Sequence, residues 1–435
     1  MLKDKIKIIL SEFQAAPLPA LVERELAVDL SVIRSPVTKV ITIIGPRRAG
    51  KTFFLFQIMG NLLKEGADIR DFVYINFEDE RLLPMEAGDL QLILDGWHEL
   101  HGREPRPFLF FDEVQNIAGW DKFVRRLVDQ GHNIFVSGSN SRLLSSDIAA
   151  ALRGRTLTYV LFPFSFREML ASKGIAPERG LLFGPKRHQV QRHFEQYLAS
   201  GGYPEVVQLE SVQTRTRILQ DYFHAVFYRD LVERHRIKHS ELLRQWLNVL
   251  IANIASTVSF RKVENDFKSR GMRVSSSTLA TFSRYVEDIF FGFFVEMYSE
   301  SARKRQVNPK KFYLIDHGMH NFLTLGLSAN RGRVLENVVF LELKRRYGEV
   351  YYYRTKSGAE VDFLVRDGTS FQLIQVCHDL AGVETRSRET KALQQAMAEL
   401  GCGVGLILTG SEKREESIRG GVLSIRPVWE WLVAQ

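Results

Sequence analysis

The chain has 435 residues, of which 45% are apolar and 25% are charged. This composition is typical of folded globular proteins and excludes disordered and collagen-like chains. The length corresponds to about two to four domains. Lys and Arg outnumber Asp and Glu by 59 to 51, which gives a formal net charge of +8. That charge permits an acidic partner such as nucleic acid but does not require one.

Cysteine content and the lack of long apolar runs favour a cytoplasmic protein. Cys377 and Cys402 are the only two cysteines, too few for a disulfide framework or a four-cysteine zinc site. The first residues carry Lys3, Lys5 and Lys7 instead of an uninterrupted apolar segment, so we predict no signal peptide. No apolar run approaches the roughly 18 residues of a membrane-spanning helix. We therefore expect a cytoplasmic protein without a membrane partner.

The N-terminal part alternates between strand and helix in its predicted elements. Residues 1–30 read as a helical lead-in that breaks at Pro17 and Pro19. The alternation that follows predicts an α/β domain with a mostly parallel sheet covered by helices on both faces. The predicted strands span 40–44, 71–77, 108–111, 133–136 and 157–162, and the helix after the first strand spans 52–64.

Helical patterns dominate residues 185–250, with an interruption at Gly201-Gly202-Tyr203-Pro204. The next elements follow the order of a winged helix-turn-helix, and a small mixed α/β domain begins near Gly332. The winged-helix elements are helices near 241–256, 260–270 and 275–288 and a strand–loop–strand segment over 291–315. The last domain has helices over 333–347 and 384–400 and strands over 350–354, 361–365, 371–377 and 404–409. The predicted domain boundaries are 1–170, 171–240, 241–325 and 326–435.

One motif indicates a phosphate-binding site. Two glycines separated by four residues precede Lys51 and Thr52, between a predicted strand and a predicted helix, which is the pattern and context of a P-loop. Glycines allow successive backbone N–H groups to face the phosphates, and the helix N-terminus adds partial positive charge. We expect Lys51 to contact the β- and γ-phosphates of ATP and the Thr52 hydroxyl to bind Mg²⁺. The candidate nucleotide-binding residues are Gly45, Pro46, Arg47, Arg48, Ala49, Gly50, Lys51, Thr52 and Phe53.

A pair of acids forms the second motif. The apolar strand over 108–111 ends in Asp112 and Glu113. A solvated strand end explains such acids when they stand alone, but a P-loop about sixty residues upstream favours a catalytic interpretation. We expect Asp112 to hold Mg²⁺ through water and Glu113 to polarise the attacking water. The double acid favours ATP hydrolysis over nucleotide binding alone.

Further polar residues follow other predicted strands. Ser139 and Asn140, after the fourth strand, are candidates for orienting the attacking water. Arg153 and Arg155 precede the fifth strand, where an arginine stabilises γ-phosphate charge in a neighbouring subunit or is ordinary surface charge. Glu78, after the second strand, either faces the site or makes a hydrogen bond at the sheet edge.

These motifs together resemble a prokaryotic family of AAA+ ATPases with an N-terminal AAA domain, a winged helix and a C-terminal restriction-endonuclease-like domain. The resemblance implies an α/β fold with a RecA-like P-loop core and a helical lid. It also implies ATP and Mg²⁺ as ligands. Homo-oligomerisation is implied only by the family and by an arginine acting in trans. The segments that carry the resemblance are 44–52, 74–79, 112–115, 137–140, 152–155, 162–166, 201–205, 228–231, 332–337 and 360–363.

The predicted C-terminal domain departs from the nuclease pattern that the resemblance implies. A nuclease of this kind needs clustered acids for metal and a lysine to help activate water. Glu336 and Asp362 supply acids, but the next strand ends in Gln375-Val-Cys377 where the pattern has Glu-x-Lys. We therefore expect a degenerate site in a binding or structural domain. The less favoured alternative is an active nuclease that uses another lysine, such as Lys356.

The predicted winged helix is the most basic part of the chain. Residues 261–311 contain 11 Lys or Arg and six acids, a net charge of +5. Such a surface suits double-stranded DNA, and it equally suits packing against the ATPase core or contact between subunits. The candidate DNA contacts are Arg273, Ser275, Ser276, Arg284, Arg303, Lys304 and Arg305.

Two hypotheses about function follow from these motifs. In the first, the protein hydrolyses ATP and engages DNA through the winged helix. In the second, it is a slow nucleotide-controlled switch that presents a pseudo-nuclease domain to a protein partner. An ATP-gated nuclease is a third and less favoured hypothesis.

Overall fold

Residues 2–35, 38–102, 106–139, 152, 154–176, 180, 184–324, 331–368 and 370–434 are described by the computed structural model. Contacts divide the chain into two units, Met1–Pro163 and Phe164–Gln435. The candidates Asn140 and Arg153 lie outside the described residues. The four domain boundaries stay a prediction.

The N-terminal unit is built around a parallel sheet. All its neighbouring strand pairs are parallel, as the alternation of elements predicted. All five residues of the strand over 40–44 are buried, since a central strand of a sheet covered on both faces needs apolar residues on both. The strands are β1 (Val40–Ile44), β2 (Phe72–Asn76), β3 (Phe108–Asp112), β4 (Asn133–Gly138) and β5 (Thr156–Val160), in the order β2-β3-β4-β1-β5.

Helices cover this sheet. The core of the sheet includes Ile41 and Ile43 of β1 and Phe54, Leu55 and Ile58 of the helix that follows β1. The first helix ends just before the two prolines, and the described residues 16–29 that follow lack regular secondary structure. The helices are α1 (Leu2–Ala15), α2 (Lys51–Lys64), α3 (Gln91–His101) and α4 (Trp120–Asp129).

The C-terminal unit begins with helices, and Gly201 separates two of them as predicted. An eight-residue π-helix, Val226–Glu233, continues the fourth of these helices. The α-helices of this region are α5 (Phe166–Ser172), α6 (Arg187–Ser200), α7 (Pro204–Gln208), α8 (Val212–Ala225) and α9 (Ser240–Ala252).

A small antiparallel sheet follows, with its last strand in the middle. Its strands are β6 (Ser256–Val258), β7 (Gly292–Val295) and β8 (Lys310–Leu314), in the order β6-β8-β7. The helices of this region are α10 (Phe260–Ser269), α11 (Ser276–Asp288), α12 (Ala302–Val307) and α13 (Gly318–Leu323). The prediction of a loop between β7 and β8 is wrong at 302–307, where Ser301 caps a short helix by accepting a hydrogen bond from the Lys304 N–H.

The last part of the unit is a mixed six-stranded sheet with helices. The sequence predicted its first elements, and two further strands and a final helix complete it. The helices are α14 (Arg331–Tyr347), α15 (Val383–Leu400) and α16 (Val428–Val433). The strands are β9 (Val350–Arg354), β10 (Glu360–Asp367), β11 (Ser370–Cys377), β12 (Val404–Thr409), β13 (Arg414–Ile418) and β14 (Gly421–Pro427), in the order β13-β14-β12-β11-β10-β9.

Candidate functional site

The P-loop connects β1 to α2, as its glycines require. At Gly45 a Cβ atom would collide with the backbone carbonyl oxygen of Leu161. Gly50 has a left-handed φ of 92°, which glycine adopts without strain, and α2 begins at the next residue. The loop therefore needs both glycines, one for a close backbone approach and one for its turn into the helix.

Asp112 is the last residue of β3, and it is fully buried. Its Oδ2 accepts hydrogen bonds from the Thr52 hydroxyl at 2.6 Å and from the Tyr74 hydroxyl at 3.1 Å. Its Oδ1 accepts one from the Ser137 hydroxyl. Burial, together with the charge of Asp112, raises the pKa of Tyr74, so Tyr74 stays protonated and donates. Three hydroxyl groups thus hold this carboxylate in place.

The hydroxyl of Thr52 and the carboxylate of Asp112 fit the chemistry of Mg²⁺. Both offer oxygen atoms, which this hard cation prefers. They come from the first turn of α2 and from the end of β3, so the P-loop and the acidic motif meet at one point.

Glu113 lies next to the P-loop lysine. The Lys51 Nζ is 3.4 Å from the Glu113 Oε1 and also donates to the Pro46 carbonyl at 3.2 Å. Gln115 donates to the other carboxylate oxygen of Glu113. The Glu113 backbone has a left-handed φ of 51°, which is uncommon for a residue other than glycine, and its N–H donates to the Ser137 Oγ at 3.1 Å.

The electrostatics of Glu113 favour a charged carboxylate. Burial raises the pKa of Glu113, but the combined effect of Lys51, Gln115 and Arg47 lowers it by more. The pKa of Glu113 therefore lies below its usual value. Glu113 is therefore ionised at neutral pH and able to accept a proton from a nearby water.

The remaining candidates of the N-terminal unit differ in their contacts and in their exposure. Arg47 on the P-loop is 3.6 Å from Glu78, so Glu78 does face the loop. Phe53 is 54% exposed on the first turn of α2, which leaves its ring available to a ligand. Ser139 is buried directly after β4.

Arg155 lies away from the P-loop of its own chain. Its carbonyl accepts a hydrogen bond from the Val40 N–H, at the end of β1 opposite Gly45. Its guanidinium pairs with Asp129. A role of Arg155 at the nucleotide stays a prediction.

Tyr74, Gln115 and Ser137 lie in segments that carry the family resemblance, but the sequence analysis gave them no role at this site. The predicted sheet contained a signal for two of these residues, Ser137 and Tyr74. Ser137 lies near the carboxyl end of β4, between β3 and β1, where parallel strands direct polar groups toward a ligand. Tyr74 on β2 is in register with Phe110 on β3, and each lies two residues before the carboxyl end of its own strand.

A second charged cluster lies in the C-terminal unit, and it centres on Lys311 of β8. The Lys311 Nζ is 3.1 Å from the Glu336 Oε1, 2.9 Å from the Glu360 Oε1 and 2.9 Å from the Asp362 Oδ1. Its side chain is only 3% exposed. Tyr313, two residues along β8, donates to the Glu336 Oε1 at 2.7 Å. Sequence reasoning placed Glu336 and Asp362 here but missed Lys311.

Electrostatic effects in this cluster oppose one another. Burial alone would lower the pKa of Lys311, but the charges of Asp362, Glu336 and Glu360 raise it well above its usual value. Burial and the charge of Asp362 raise the pKa of Glu336 to about 7, against the opposing influence of Lys311 and Tyr313. Lys311 is thus a fully charged ammonium among carboxylates.

Gln375 lies beside this cluster. Its side-chain oxygen accepts a hydrogen bond from the Asp362 N–H at 3.2 Å, and its amide donates to the Glu389 Oε2 at 2.6 Å. The Asp362 Oδ2 accepts from the Val376 N–H at 3.0 Å. Both functional atoms of Gln375 are therefore engaged within the protein. Among the described residues, no group of three or more His, Cys, Asp or Glu side chains has a metal-holding arrangement.

The basic candidates around β7 and α11 differ in their surroundings. Ser275 caps α11 by accepting from the Thr278 N–H at 3.2 Å. Ser276 donates to Glu264, so both serines have partners within the protein. Arg305 donates to the Ser299 carbonyl at 2.6 Å. The exposed cations of this set are Arg273, Arg284, Arg303 and Lys304.

The parallel sheet, the P-loop after β1 and the paired acids at the end of β3 define a P-loop ATPase fold of the AAA type. The family model described as AAA domain matches residues 37–170. Two further family models, described as domains of unknown function DUF8612 and DUF4143, match residues 191–331 and 331–430.

The chain belongs to a family of prokaryotic AAA ATPases that includes the uncharacterized protein MJ1544 of Methanocaldococcus jannaschii. The two proteins are 35% identical over 434 residues, which span 98% of this chain and 94% of MJ1544. An uncharacterized protein of Haemophilus influenzae is 27% identical over 340 residues, 78% of this chain and 82% of that protein.

Solved structures with similarity to the chain include two archaeal proteins. The Walker-type ATPase PABY2304 of Pyrococcus abyssi aligns with a TM-score of 0.41 and 13% identity, over 71% of this chain and 99% of that chain. Cdc6p of Pyrobaculum aerophilum aligns with a TM-score of 0.27 and 13% identity, over 76% and 98%. Within the part of the chain that the structure describes, no helix is both long and apolar enough to cross a membrane.

Proposed function

We propose that this protein is a Mg²⁺-dependent ATPase that hydrolyses ATP with Glu113 as the base. The observation that carries the proposal is the meeting of three groups at the P-loop. The Lys51 ammonium lies 3.4 Å from Glu113, and the Thr52 hydroxyl lies 2.6 Å from Asp112. A cation for phosphate, oxygen ligands for Mg²⁺ and an ionised base are thus adjacent.

Each residue has a separate role in this proposal. The backbone N–H groups of the P-loop and Lys51 bind the phosphates of ATP. Glu113 takes a proton from the water that attacks the γ-phosphate. Thr52 and Asp112 would hold Mg²⁺, which when bound neutralises charge on the β- and γ-phosphates. The exposed ring of Phe53 contacts the nucleoside from the first turn of α2.

Turnover and binding measurements on variants test this assignment. Glu113→Gln should bind ATP as the wild type does but lower kcat by about 10²- to 10⁴-fold, the usual contribution of a general base. Lys51→Ala should weaken the binding of ATP itself. Glu99→Gln, which alters a carboxylate of α3 that pairs with Lys3 and Lys7 of α1, is the matched control and should retain most activity. Normal turnover by Glu113→Gln would contradict the assignment of the base.

We further propose that residues 240–314 form a winged helix that engages double-stranded DNA. The chain order α9, β6, α10, α11, β7, β8, with the short helix α12 between the last two strands, supports such a module, and the last strand lies between the first two in the sheet. The exposed cations Arg273, Arg284, Arg303 and Lys304 support contact with phosphates.

The dependence of DNA affinity on salt tests this part of the proposal. Replacing Arg303, Lys304 and Arg305 together with Ala should weaken binding and flatten the slope of log K against log salt concentration, by about 0.9 for each phosphate that the variant no longer neutralises. A triple variant that removes exposed cations elsewhere in the same unit, Lys186, Arg192 and Arg419, is the control for net charge. An equal effect of both triple variants would count against a specific interface.

A second candidate function is a nucleotide-controlled switch whose C-terminal domain binds a protein partner. The position of Lys311 favours it, because the ammonium occupies the space between Glu336, Glu360 and Asp362 where a metal-dependent nuclease would place a cation. This candidate expects no DNA cleavage with Mg²⁺ or Mn²⁺ and slow ATP turnover that is indifferent to DNA. Cleavage by the wild type that Asp362→Ala abolishes would instead support an ATP-gated nuclease.

A further inference from the structure

We propose that Arg24 is a positioning residue that sets the shape of the P-loop for nucleotide phosphates. Arg24 lies in the irregular segment 16–29, which no motif of the sequence connects with nucleotide binding. Arg24 is nevertheless only 8% exposed. Arginine is rarely buried to this extent unless its guanidinium is paired with other groups. The inference rests on the proposed function of the P-loop.

The guanidinium of Arg24 joins two backbone segments that flank the nucleotide site. Its Nη1 donates to the carbonyl of Ala49, inside the P-loop, at 2.8 Å. Its Nη2 donates to the carbonyl of Phe162, just beyond β5, at 2.6 Å. The planar, forked guanidinium can serve two carbonyls at fixed directions, which a lysine ammonium does less well.

The backbone of Arg24 is itself fixed to the helix that follows the P-loop. The Gln57 side chain of α2 accepts a hydrogen bond from the Arg24 N–H at 2.8 Å and donates one to the Arg24 carbonyl at 3.1 Å. The guanidinium therefore extends from an anchored point, so its position relative to the P-loop is defined at both ends.

The hydrogen bond to Ala49 has a direct consequence for phosphate binding. In a trans peptide the carbonyl and the following N–H point in opposite directions, and the peptide plane is rigid. Arg24 holds the Ala49 carbonyl on its own side, and this directs the Gly50 N–H toward the opposite side. P-loops bind phosphate with such N–H groups, so Arg24 orients a phosphate-binding donor without contacting the nucleotide.

The hydrogen bond to Phe162 strengthens the same arrangement. The Leu161 carbonyl approaches Gly45 so closely that no side chain fits there, and the Leu161 N–H donates to the Ile44 carbonyl at 2.7 Å. Arg24 thus links the loop at Ala49 to the segment that supports the loop at Gly45. Loss of Arg24 leaves the P-loop free to sample other peptide orientations.

Affinities for ADP and ATP, measured by calorimetry in the presence of Mg²⁺, test the inference. Arg24→Met removes both donors but keeps most of the apolar stem, and we expect both dissociation constants to rise by about tenfold. Arg24→Lys should cause a smaller loss, and kcat at saturating ATP should change little because Glu113 is not displaced. Arg81→Met, which removes ion pairs to Asp79 and Glu12 elsewhere in the same unit, is the matched control and should bind both nucleotides normally.

Each outcome of this experiment either supports or overturns the proposed role of Arg24. An Arg24→Met protein with wild-type affinity for ADP would overturn the inference, as would a loss of ATP affinity with ADP affinity retained, which would indicate a direct interaction with the γ-phosphate. If Arg24→Met does not fold, unchanged ADP affinity in Arg24→Lys overturns the inference and weaker affinity supports it. Failure of the wild type to bind either nucleotide would refute the proposed function instead.

Discussion

Replacing Lys311 by Met tests whether its ammonium is the cation that stabilises the C-terminal carboxylate cluster. Methionine keeps a side chain of similar length but removes the charge that lies 2.9–3.1 Å from three carboxylate oxygens. Removing one partner from a buried ion pair costs about 3–5 kcal/mol, because the remaining charges stay buried without compensation. We expect a loss of that size in the stability of strands β8, β10 and β11.

The stability that Lys311→Met loses should also depend on pH, and the titration of Glu336 determines the sign of this dependence. Burial and the charge of Asp362 raise the pKa of Glu336 to about 7, above its value in the unfolded chain. Between about pH 4.5 and 7 the folded protein therefore binds a proton that the unfolded chain has released, so stability falls as pH rises over that range and levels off above it. Without Lys311 this pKa rises further, so the difference between wild type and variant should increase by about 1.4 kcal/mol per pH unit above neutrality.

Hydrogen exchange measured by mass spectrometry over β8, β10 and β11 is a suitable assay, because it reports the free energy of opening locally. Lys310→Met is the matched control on the same strand. Lys310 pairs with Glu296 at 2.8 Å but is 33% exposed, and a surface ion pair of this kind contributes less than about 1 kcal/mol. Equal losses in Lys310→Met and Lys311→Met would refute the reasoning.

Three further predictions concern buried polar groups. Tyr74→Phe removes a donor to Asp112, and we expect a loss of about 1–3 kcal/mol in thermal unfolding and a decrease in ATP turnover. Gly201→Ala should destabilise the protein by more than about 2 kcal/mol in chemical unfolding, because φ is +78° and a Cβ would collide with the Asp316 carboxylate. Gly271 is the control, since its φ is +79° but a Cβ there would meet open space, and Gly271→Ala should lose only about 1 kcal/mol in the same assay. Burial raises the pKa of Asp316 to about 6, so the contribution of Asp316 to stability falls as pH rises from about 4 to 6. Over that range the stability of Asp316→Asn, measured by urea unfolding, should increase by up to about 3 kcal/mol relative to the wild type. A difference that stays constant with pH would contradict the assignment.

Most elements of the fold could be predicted from the sequence because their signals are local. The strand over 40–44, the loop with Gly45 and Gly50 and the helix from Lys51 are encoded by consecutive residues whose backbone preferences agree. The short helix Ala302–Val307 was missed because three of its six residues are charged and the segment lacks an apolar period, while its stability comes partly from the Ser301 cap.

The candidate site was only partly predictable, for a related reason. Lys51, Thr52, Asp112 and Glu113 belong to two motifs whose spacing indicates their chemistry. Arg24 could not be found in this way, because its role depends on the approach of an irregular segment to Ala49 and Phe162. Hydrogen bonds of this kind join carbonyls that any residue supplies, and so they leave no pattern in the sequence.

The sequence by itself determined the P-loop and the parallel alternation of elements, and it has Gln375 and Cys377 where the predicted nuclease pattern has Glu-x-Lys. Only the tertiary structure showed that Lys311 supplies a lysine to the same cluster, from a strand 25 residues before Glu336 and 51 residues before Asp362. A motif is determined by the backbone conformations of neighbouring residues, which local composition controls. The convergence of side chains from β8, α14 and β10 depends instead on how whole elements pack, and that is decided by the burial of apolar surface over the entire unit.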